Sequence, residues 1–213
     1  EAGQLVMQFD LRADTVHYAV PQQKVIVPVP GQIFFFDDRK VEPKELARPD
    51  RSDPLGGGDR RGMTAMKWEG ELIYDQRGGL IAINREVFLR HEPKDAAQTP
   101  LQMKADRVTV ELLKSDEKSA GAPAATTAGA TDGGDAIRVR RLHAEGNIYF
   151  VGRNLAFLAS SIDYDPETGV FTAHGTDRVP AVLLDEQDND RSKGTFTSLE
   201  YNMKTGHVKT QGL

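Results

Sequence analysis

Alternating apolar and polar residues dominate this chain and predict β-strands almost throughout. Side chains two residues apart share one face of a strand, so an apolar–polar–apolar triplet marks a strand with one covered face. Triplets of this kind end segments at Ile162/Tyr164 and Leu199/Tyr201, and Leu72/Tyr74 shows the same apolar pair two residues apart. Helical periodicity is almost absent, because the one candidate helical turn, residues 42–48, is closely bracketed by Pro43 and Pro49. We therefore predict an all-β fold.

A strand that runs into a tight turn recurs along the chain. An aromatic residue, an Asp or Asn, three further residues and a Gly follow one another at Tyr74–Gly79, Tyr164–Gly169 and Tyr201–Gly206. The Asx side chain can cap such a turn, and Gly can take the positive φ that the turn requires. The recurrence favours stacked β-hairpins over a pocket with one catalytic centre.

The similarity extends upstream of the turns. The eight residues 157–164 match residues 11–18 and 103–110 position by position, and residues 67–74 and 194–201 keep the last apolar pair. A second, shorter element lies between these copies at 144–150, 173–175 and 210–212, and each copy contains a Gly. A weaker copy at 84–89 lacks the Gly. The chain is thus predicted to be a series of related hairpins.

The connecting segments stand out by composition. Residues 42–62 are rich in Pro, Gly, Arg and Asp and predict a loop, and the Ala/Gly/Thr/Ser-rich residues 115–136 predict a disordered low-complexity insertion at a hairpin tip. Residues 185–193 predict a polar loop. The two prolines in residues 25–30 favour an edge strand there. Trp68, the only Trp, is predicted to lie at the start of a strand. We expect residues 1–213 to form a single domain.

Composition narrows the function classes. The formal net charge is −5, with both signs interspersed, which argues against nucleic acid as a partner. The chain has no cysteine, so disulfides, thiolate metal sites and Cys nucleophiles are excluded. No run approaches the ~18 apolar residues that a membrane helix needs. Because the sequence opens at Glu1 without Met, we expect either a mature form, from which a signal peptide or membrane anchor was removed, or a trimmed chain.

The repeated motifs resemble those of the OstA/LptA-type lipopolysaccharide-transport family. The resemblance is clearest over residues 137–212 and rests on Ala144-Glu-Gly-Asn-Ile148, on residues 158–165 with the turn to Gly169, and on Ala173-His-Gly175. It extends over 63–113, where residues 103–108 match the second motif strand, and is weak over 1–40. The long segments 42–62 and 115–136 depart from the family pattern.

This resemblance implies an elongated, twisted β-jellyroll of two facing antiparallel sheets. It further implies a periplasmic, non-enzymatic protein without a cofactor, which holds the acyl chains of lipopolysaccharide or another lipid between the sheets. Other envelope transport proteins would be partners through edge-strand pairing, and head-to-tail homo-oligomers are possible. The alternative is a structural or protein-interaction module of the cell envelope that pairs through its edge strands.

The candidate lipid lining consists of the apolar strand positions. These are Leu72, Tyr74, Ile81, Ile83, Val87, Leu89, Val108, Val110, Ile148, Phe150, Ile162, Tyr164, Leu199 and Tyr201. An ordinary closed core would show the same pattern, so both interpretations stay open. A third, enzymatic hypothesis would require acids and aromatic residues clustered on one repeat face, and the sequence shows no such cluster.

Charged residues offer weaker candidates. Arg138 and Arg140 alternate with apolar residues and could bind a lipid phosphate, although a solvated outer face is the favoured explanation. The acidic run at 163–167 lacks the ligand spacing of a calcium loop and fits turn capping instead. The five histidines form no H-x-H or H-x-x-x-H pair, so we predict no metal site.

Overall fold

The computed structural model describes residues 7–38, 62–96, 100–113, 138–152, 155–165, 167–176, 179–187, 190–202 and 207–212. These residues form fifteen β-strands and one 3₁₀ turn, Val20–Gln22. The strands are β1 (Met7–Ala13), β2 (His17–Ala19), β3 (Lys24–Val27), β4 (Gly31–Asp37), β5 (Gly62–Trp68), β6 (Leu72–Asp75), β7 (Leu80–Pro93), β8 (Leu101–Leu113), β9 (Arg138–Gly152), β10 (Leu155–Asp165), β11 (Val170–His174), β12 (Ala181–Gln187), β13 (Asp190–Phe196), β14 (Ser198–Asn202) and β15 (Val208–Gln211).

Every strand pairing is antiparallel, so the predicted all-β antiparallel fold class is confirmed. The main path runs β1-β4-β5-β7-β8-β9-β10-β11-β14-β15. Two branches leave it: β2-β3-β6 joins at β7, and β12-β13 joins at β10. The branches exist because β7 and β10 are long enough to hold two different neighbours along one edge.

A line of irregularities, here called the seam, crosses the four longest strands near their middles. The register shifts lie at residues 84–87 of β7, 104–107 of β8, 145–148 of β9 and 159–161 of β10. The short connection from β5 to β6 lies on the same line, because Glu69 N donates to Arg85 O and Asn84 N donates to Glu71 O, both at 2.9 Å. Bulges increase bend and twist where they occur, so the seam divides the ladder into two half-sheets.

Each half-sheet collects the strand segments on one side of the seam. The first half-sheet contains β2, β3, β6, β11, β14, β15 and residues 80–84, 107–113, 138–145 and 161–165. The second contains β1, β4, β5, β12, β13 and residues 87–93, 101–105, 148–152 and 155–159. Residues from both half-sheets form one hydrophobic cluster. We call the sheet surface that faces this cluster the inner face.

The bulges keep apolar side chains on the inner face as the strands cross the seam. In β8 the buried positions change from odd to even numbers between Ala105 and Val108, and in β10 they change between Ala159 and Ile162. A one-residue bulge reverses the alternation, so it corrects for this three-residue spacing. The matching eight-residue copies at 103–110 and 157–164 are therefore strands that cross the seam.

Strands β7 and β9 cross the seam differently, through two consecutive residues with positive φ. Arg85 and Glu86 in β7 have φ of 67° and 47°, and Gly146 and Asn147 in β9 have φ of 76° and 46°. These are the shorter repeat elements at 84–89 and 144–150. The copy that lacks Gly thus adopts the same left-handed pair of residues as the copy that has it.

The predicted capped turns are confirmed at their first two occurrences. The Asp75 carboxylate accepts a hydrogen bond from Gly78 N at 2.8 Å, and Asp165 accepts one from Glu167 N at 2.8 Å. The terminal glycines have φ of 64° and 70°. The Gly78 N–H, together with the Lys24 ammonium, holds the pKa of Asp75 below its usual value. In the third turn, residues 203–206 lie outside the described residues.

Three local predictions are wrong. Residues 185–187 and 190–193 are not loop but belong to β12 and β13, since their backbones pair with each other as far as Gln187↔Asp190. The strand β3 is not an edge strand, because it pairs with both β2 and β6. Its prolines follow the strand, where the chain passes to β4 and no ladder donor is required. Trp68 ends β5 instead of starting a strand.

The predicted loop and insertion fall largely outside the described part of the chain. Residues 115–136 lie there entirely, and so do residues 42–61. Gly62, the last residue assigned to the predicted loop, is the first residue of β5.

Candidate functional site

The inner face of the first half-sheet carries two continuous rows of apolar side chains. Directly paired residues on adjacent antiparallel strands point to the same side, so a row can be followed through the ladder. One row nearer the seam comprises Val27, Leu72, Ile83, Val108, Ala144, Ile162, Ala173 and Leu199. The row beyond it comprises Tyr18, Val25, Tyr74, Ile81, Val110, Leu142, Tyr164, Phe171, Tyr201 and Val208.

The inner face of the second half-sheet is similarly apolar, and its described side chains include a polar pair. A row of Leu11, Ile33, Met66, Leu89, Met103, Phe150, Phe157 and Leu183 crosses it. In the neighbouring row, the buried His91 ring nitrogen Nδ1 lies 2.9 Å from the Thr64 hydroxyl. The sequence analysis did not predict this pair. The alternation that places Val87 and Leu89 on the inner face also places His91 there, and this could have identified it.

All fourteen residues predicted as lipid lining lie in the central cluster or pack against it. The buried ones are Leu72, Ile83, Val87, Val108, Ile148, Ile162, Tyr164 and Leu199. The partly buried ones are Tyr74, Ile81, Leu89, Val110, Phe150 and Tyr201. The structure thus brings the predicted residues together on one inner surface, and their lipid-binding role stays a prediction.

Aromatic rings join the two half-sheets near the middle of the ladder. Phe150 and Phe157 from the second half-sheet stack with centroids 4.7 Å apart. Phe171 from the first half-sheet packs edge-on against Phe157 at 5.0 Å, and Tyr164 lies 6.4 Å from Phe171. Here the interior is filled by side chains that touch across the sheets, in the manner of a closed core.

The inner face becomes exposed toward both ends of the ladder. At the β1–β2 end, Phe9 is 62% exposed and Tyr18 is 57% exposed. Phe9 shares a face with Leu11 and Ala13, which pack against the core, and Tyr18 is paired with Val25, so both rings belong to the inner face. At the other end, Val208 on β15 is exposed. The row from Tyr18 to Val208 therefore extends past the buried centre at both ends, and the inner face of the second half-sheet does so at Phe9.

The weaker candidates lie away from this surface. Arg140 is exposed and falls at a register shift between Arg141 and Val139, so the simple alternation assumed for Arg138 and Arg140 is interrupted there. A groove of about 370 Å³ on the outer face of β9–β11 is lined by Arg141, Asp163 and Asp165, among others. Its one arginine is balanced by the two carboxylates, so the groove is not a basic site for phosphate.

Two further properties concern the described residues alone. Among them, no group of three or more His, Cys, Asp or Glu side chains could hold a metal ion. His143 does approach two carboxylates, with Nδ1 3.0 Å from Asp163 Oδ1 and Nε2 3.7 Å from Glu145 Oε2. Over the same residues, no helix has the length and apolarity needed to cross a membrane.

Comparison with known proteins finds a similar chain course among solved structures. No protein-family model matches the chain, and no curated protein matches it. Among solved structures, the chain is similar to LptH of Pseudomonas aeruginosa, described as the LptA-homologous periplasmic component of a lipopolysaccharide transport device. The TM-score is 0.44, the sequence identity is 8%, and the alignment covers 88% of this chain and 93% of that one.

Proposed function

We propose that this protein is a non-enzymatic, periplasmic lipid-binding protein that holds acyl chains against the inner faces of its two half-sheets. The observation that carries the proposal is that the inner face continues beyond the buried centre and ends in exposed apolar residues, Tyr18 and Val208 on the first half-sheet and Phe9 on the second. A closed core would be expected to end in polar residues where it meets water. The motif resemblance found in the sequence makes lipopolysaccharide the first lipid to test, with lipid A phosphates near Arg138 and Arg140 as the finer hypothesis.

The end formed by β1 and β2 is the favoured entry for an acyl chain. Phe9 and Tyr18 come from different half-sheets, so both walls of this end present an exposed ring. Partly buried apolar residues, Leu11 and Tyr74, continue the two walls inward. Burying each CH₂ group of a guest here would contribute about 0.8 kcal/mol. The aromatic cluster around Phe157 would limit how far a chain enters unless the rings move.

A double variant at this end tests the proposal. Phe9→Asp with Tyr18→Asp should weaken binding of a fluorescent fatty acid and of lipopolysaccharide by about tenfold or more, because an acyl chain would then contact unpaired carboxylates. Both positions are exposed, so the fold should survive, which circular dichroism checks. Val179→Asp, which also replaces an exposed apolar residue, is the matched control and should bind as wild type does. Failure of the wild-type protein to bind either lipid would contradict the proposal.

A second candidate function is an envelope interaction module that pairs through its edge strands. The favouring observation is that β15 pairs with β14 alone among the described strands, and its residues are exposed throughout. At the opposite end, β1 pairs only with β4 and β2 only with β3 within the described chain. Free strand edges can accept a further strand.

A further inference from the structure

A row of side chains on the outer face of the second half-sheet combines exposed aromatic and aliphatic groups with lysines. Following direct strand pairs, the row reads Lys67, Phe88, Lys104, Tyr149, Leu158 and Val182. Its members alternate with inward residues: Phe88 follows the buried Val87, and Leu158 lies between the buried Phe157 and Ala159. The row therefore points away from the core, and we call it the outer row.

The apolar part of the outer row is open to solvent. Phe88 is 37% exposed, Tyr149 43% and Leu158 41%. In the next row along the same face, the paired Val151, Ala156 and Leu184 are half-buried and widen the apolar area. An exposed apolar patch on a sheet face lowers the solubility of a protein unless a binding partner covers it. Such a patch therefore indicates an interaction surface.

The charges of this face indicate which kind of partner binds to it. The same outer face carries the described cations Arg12, Lys67, Arg90 and Lys104 and the described carboxylates Asp10 and Glu92. Arg12 bridges Asp10 at 2.7 Å and Arg90 bridges Glu92 at 2.6 Å, whereas the described residues give Lys67 and Lys104 no ion pair. Both lysines of the outer row are thus cations without a described acidic partner, in a protein whose net charge is −5.

We propose that the outer row docks onto the surface of an anionic lipid bilayer. Lysines would interact with anionic headgroups while Phe88, Tyr149 and Leu158 enter the interfacial region, the arrangement that peripheral membrane surfaces use. A second copy of the chain fits less well, since a two-fold contact would set the same lysines against each other. Nucleic acid also fits less well, because aliphatic Leu158 and Val182 continue the row where stacking would need rings.

The docking surface is separate from the lipid-binding interior proposed above. The two lie on opposite faces of the same half-sheet, so either proposal can fail while the other holds. Phe9→Asp with Tyr18→Asp should leave bilayer docking unchanged, and changes in the outer row should leave fatty-acid binding unchanged.

Vesicle flotation of the full chain tests the docking. The wild-type protein should float with vesicles that contain phosphatidylglycerol and not with pure phosphatidylcholine vesicles, and raised salt should release it. Lys104→Glu should reduce the bound fraction about fivefold or more, since one lysine near an anionic surface is already worth about that factor. Lys209→Glu on the other half-sheet makes the same charge change and should have little effect.

The apolar contribution is tested in the same assay. Phe88→Ser should lower binding to the anionic vesicles, whereas Val179→Ser, which changes a more exposed apolar residue elsewhere, should not. The proposal is overturned if wild type floats equally with both vesicle types or with neither. It is also overturned if Phe88→Ser binds as wild type, or if a fluorescent oligonucleotide binds more tightly than anionic vesicles and competes with them.

Discussion

At the scale of single residues, different side chains adopt the same left-handed backbone conformation at the seam. Gly146 and Arg85 both begin a left-handed pair, with φ of 76° and 67°. Glycine accepts this region freely, whereas a side chain there costs about 1–2 kcal/mol. At Gly146 space is restricted as well, because an added Cβ would lie 2.7 Å from the Asp106 Cβ.

The two positions should therefore respond in opposite directions. Gly146→Ala should lower the free energy of unfolding by about 1–3 kcal/mol, from backbone strain and the contact with Asp106. Arg85→Gly should raise it by about 0.5–1 kcal/mol, because relief of strain exceeds the added flexibility of the unfolded chain. Urea denaturation of both variants measures the difference. Destabilisation by both changes would show that Arg85 is held by contacts worth more than its strain.

At the scale of elements, the position of each bulge decides which side chains reach the core. In β10, Phe157 and Ala159 precede the bulge, and the fully buried Ile162 and the buried Tyr164 follow it. The apolar spacings are two, three and two residues. A strand without the bulge would place one of these pairs in solvent.

Removing one residue from the bulge should straighten the strand without turning its core residues outward. Deletion of Ser160 makes all three spacings two residues, so Ile162 and Tyr164 stay on the inner face without a bulge. The variant should lose the local bend at the seam and be destabilised by about 1–3 kcal/mol, whereas Ser160→Ala keeps the residue count and should change stability by about 0.5 kcal/mol or less. Thermal unfolding of both variants measures the difference. Loss of cooperative unfolding in the deletion variant would show that the fold requires the bend itself and not the alternation alone.

At the scale of the whole molecule, the ladder ends in free edges with exposed inner-face residues beside them. Tyr18 lies at one end and Val208 at the other, each on an outer strand of the first half-sheet. If β15 of one molecule paired with the opposite end of the next, these apolar side chains would continue each other's row. The contact would be heterologous and could repeat without closing.

Light scattering over a concentration series tests this assembly. We expect the apparent mass to rise with concentration in the wild-type protein and to stay that of a monomer in Val208→Asp. The aspartate would face the apolar row of the next molecule without a partner. A matched change away from both ends, Val179→Asp, should assemble as wild type does. A monomer at every concentration would count against edge pairing and leave the lipid-binding proposal standing.

Much of the fold could be predicted from the sequence because hairpins are local structures. The Asp75 and Asp165 turns each need a capping carboxylate and a Gly within a few residues, and those are visible in the chain. The inner-face residues could be predicted for the same reason, since alternation identifies them strand by strand. The change of phase between Ala105 and Val108 was also present as a three-residue spacing, although it was interpreted as one unbroken strand.

What the sequence could not supply depends on contacts between distant segments. Phe150, Phe157 and Phe171 look like ordinary strand residues, and only the pairing of β9, β10 and β11 brings their rings together. The pairing of β12 with β13 was missed because their polar residues at 185–193 lack an apolar alternation. The outer row was missed because its six members come from six strands, with nothing in the linear order to connect them.

The ladder has a consequence for how such a protein can change its size over evolution. Most strands pair only with their immediate neighbours in the ladder, and most neighbours in the ladder are close in the chain. Duplicating or losing one hairpin would change the molecule by two strand widths, about 9–10 Å, while every remaining pair keeps its partner. Selection can thus change the length of the ladder in steps of one hairpin, while the remaining strands keep their sequences and pairings.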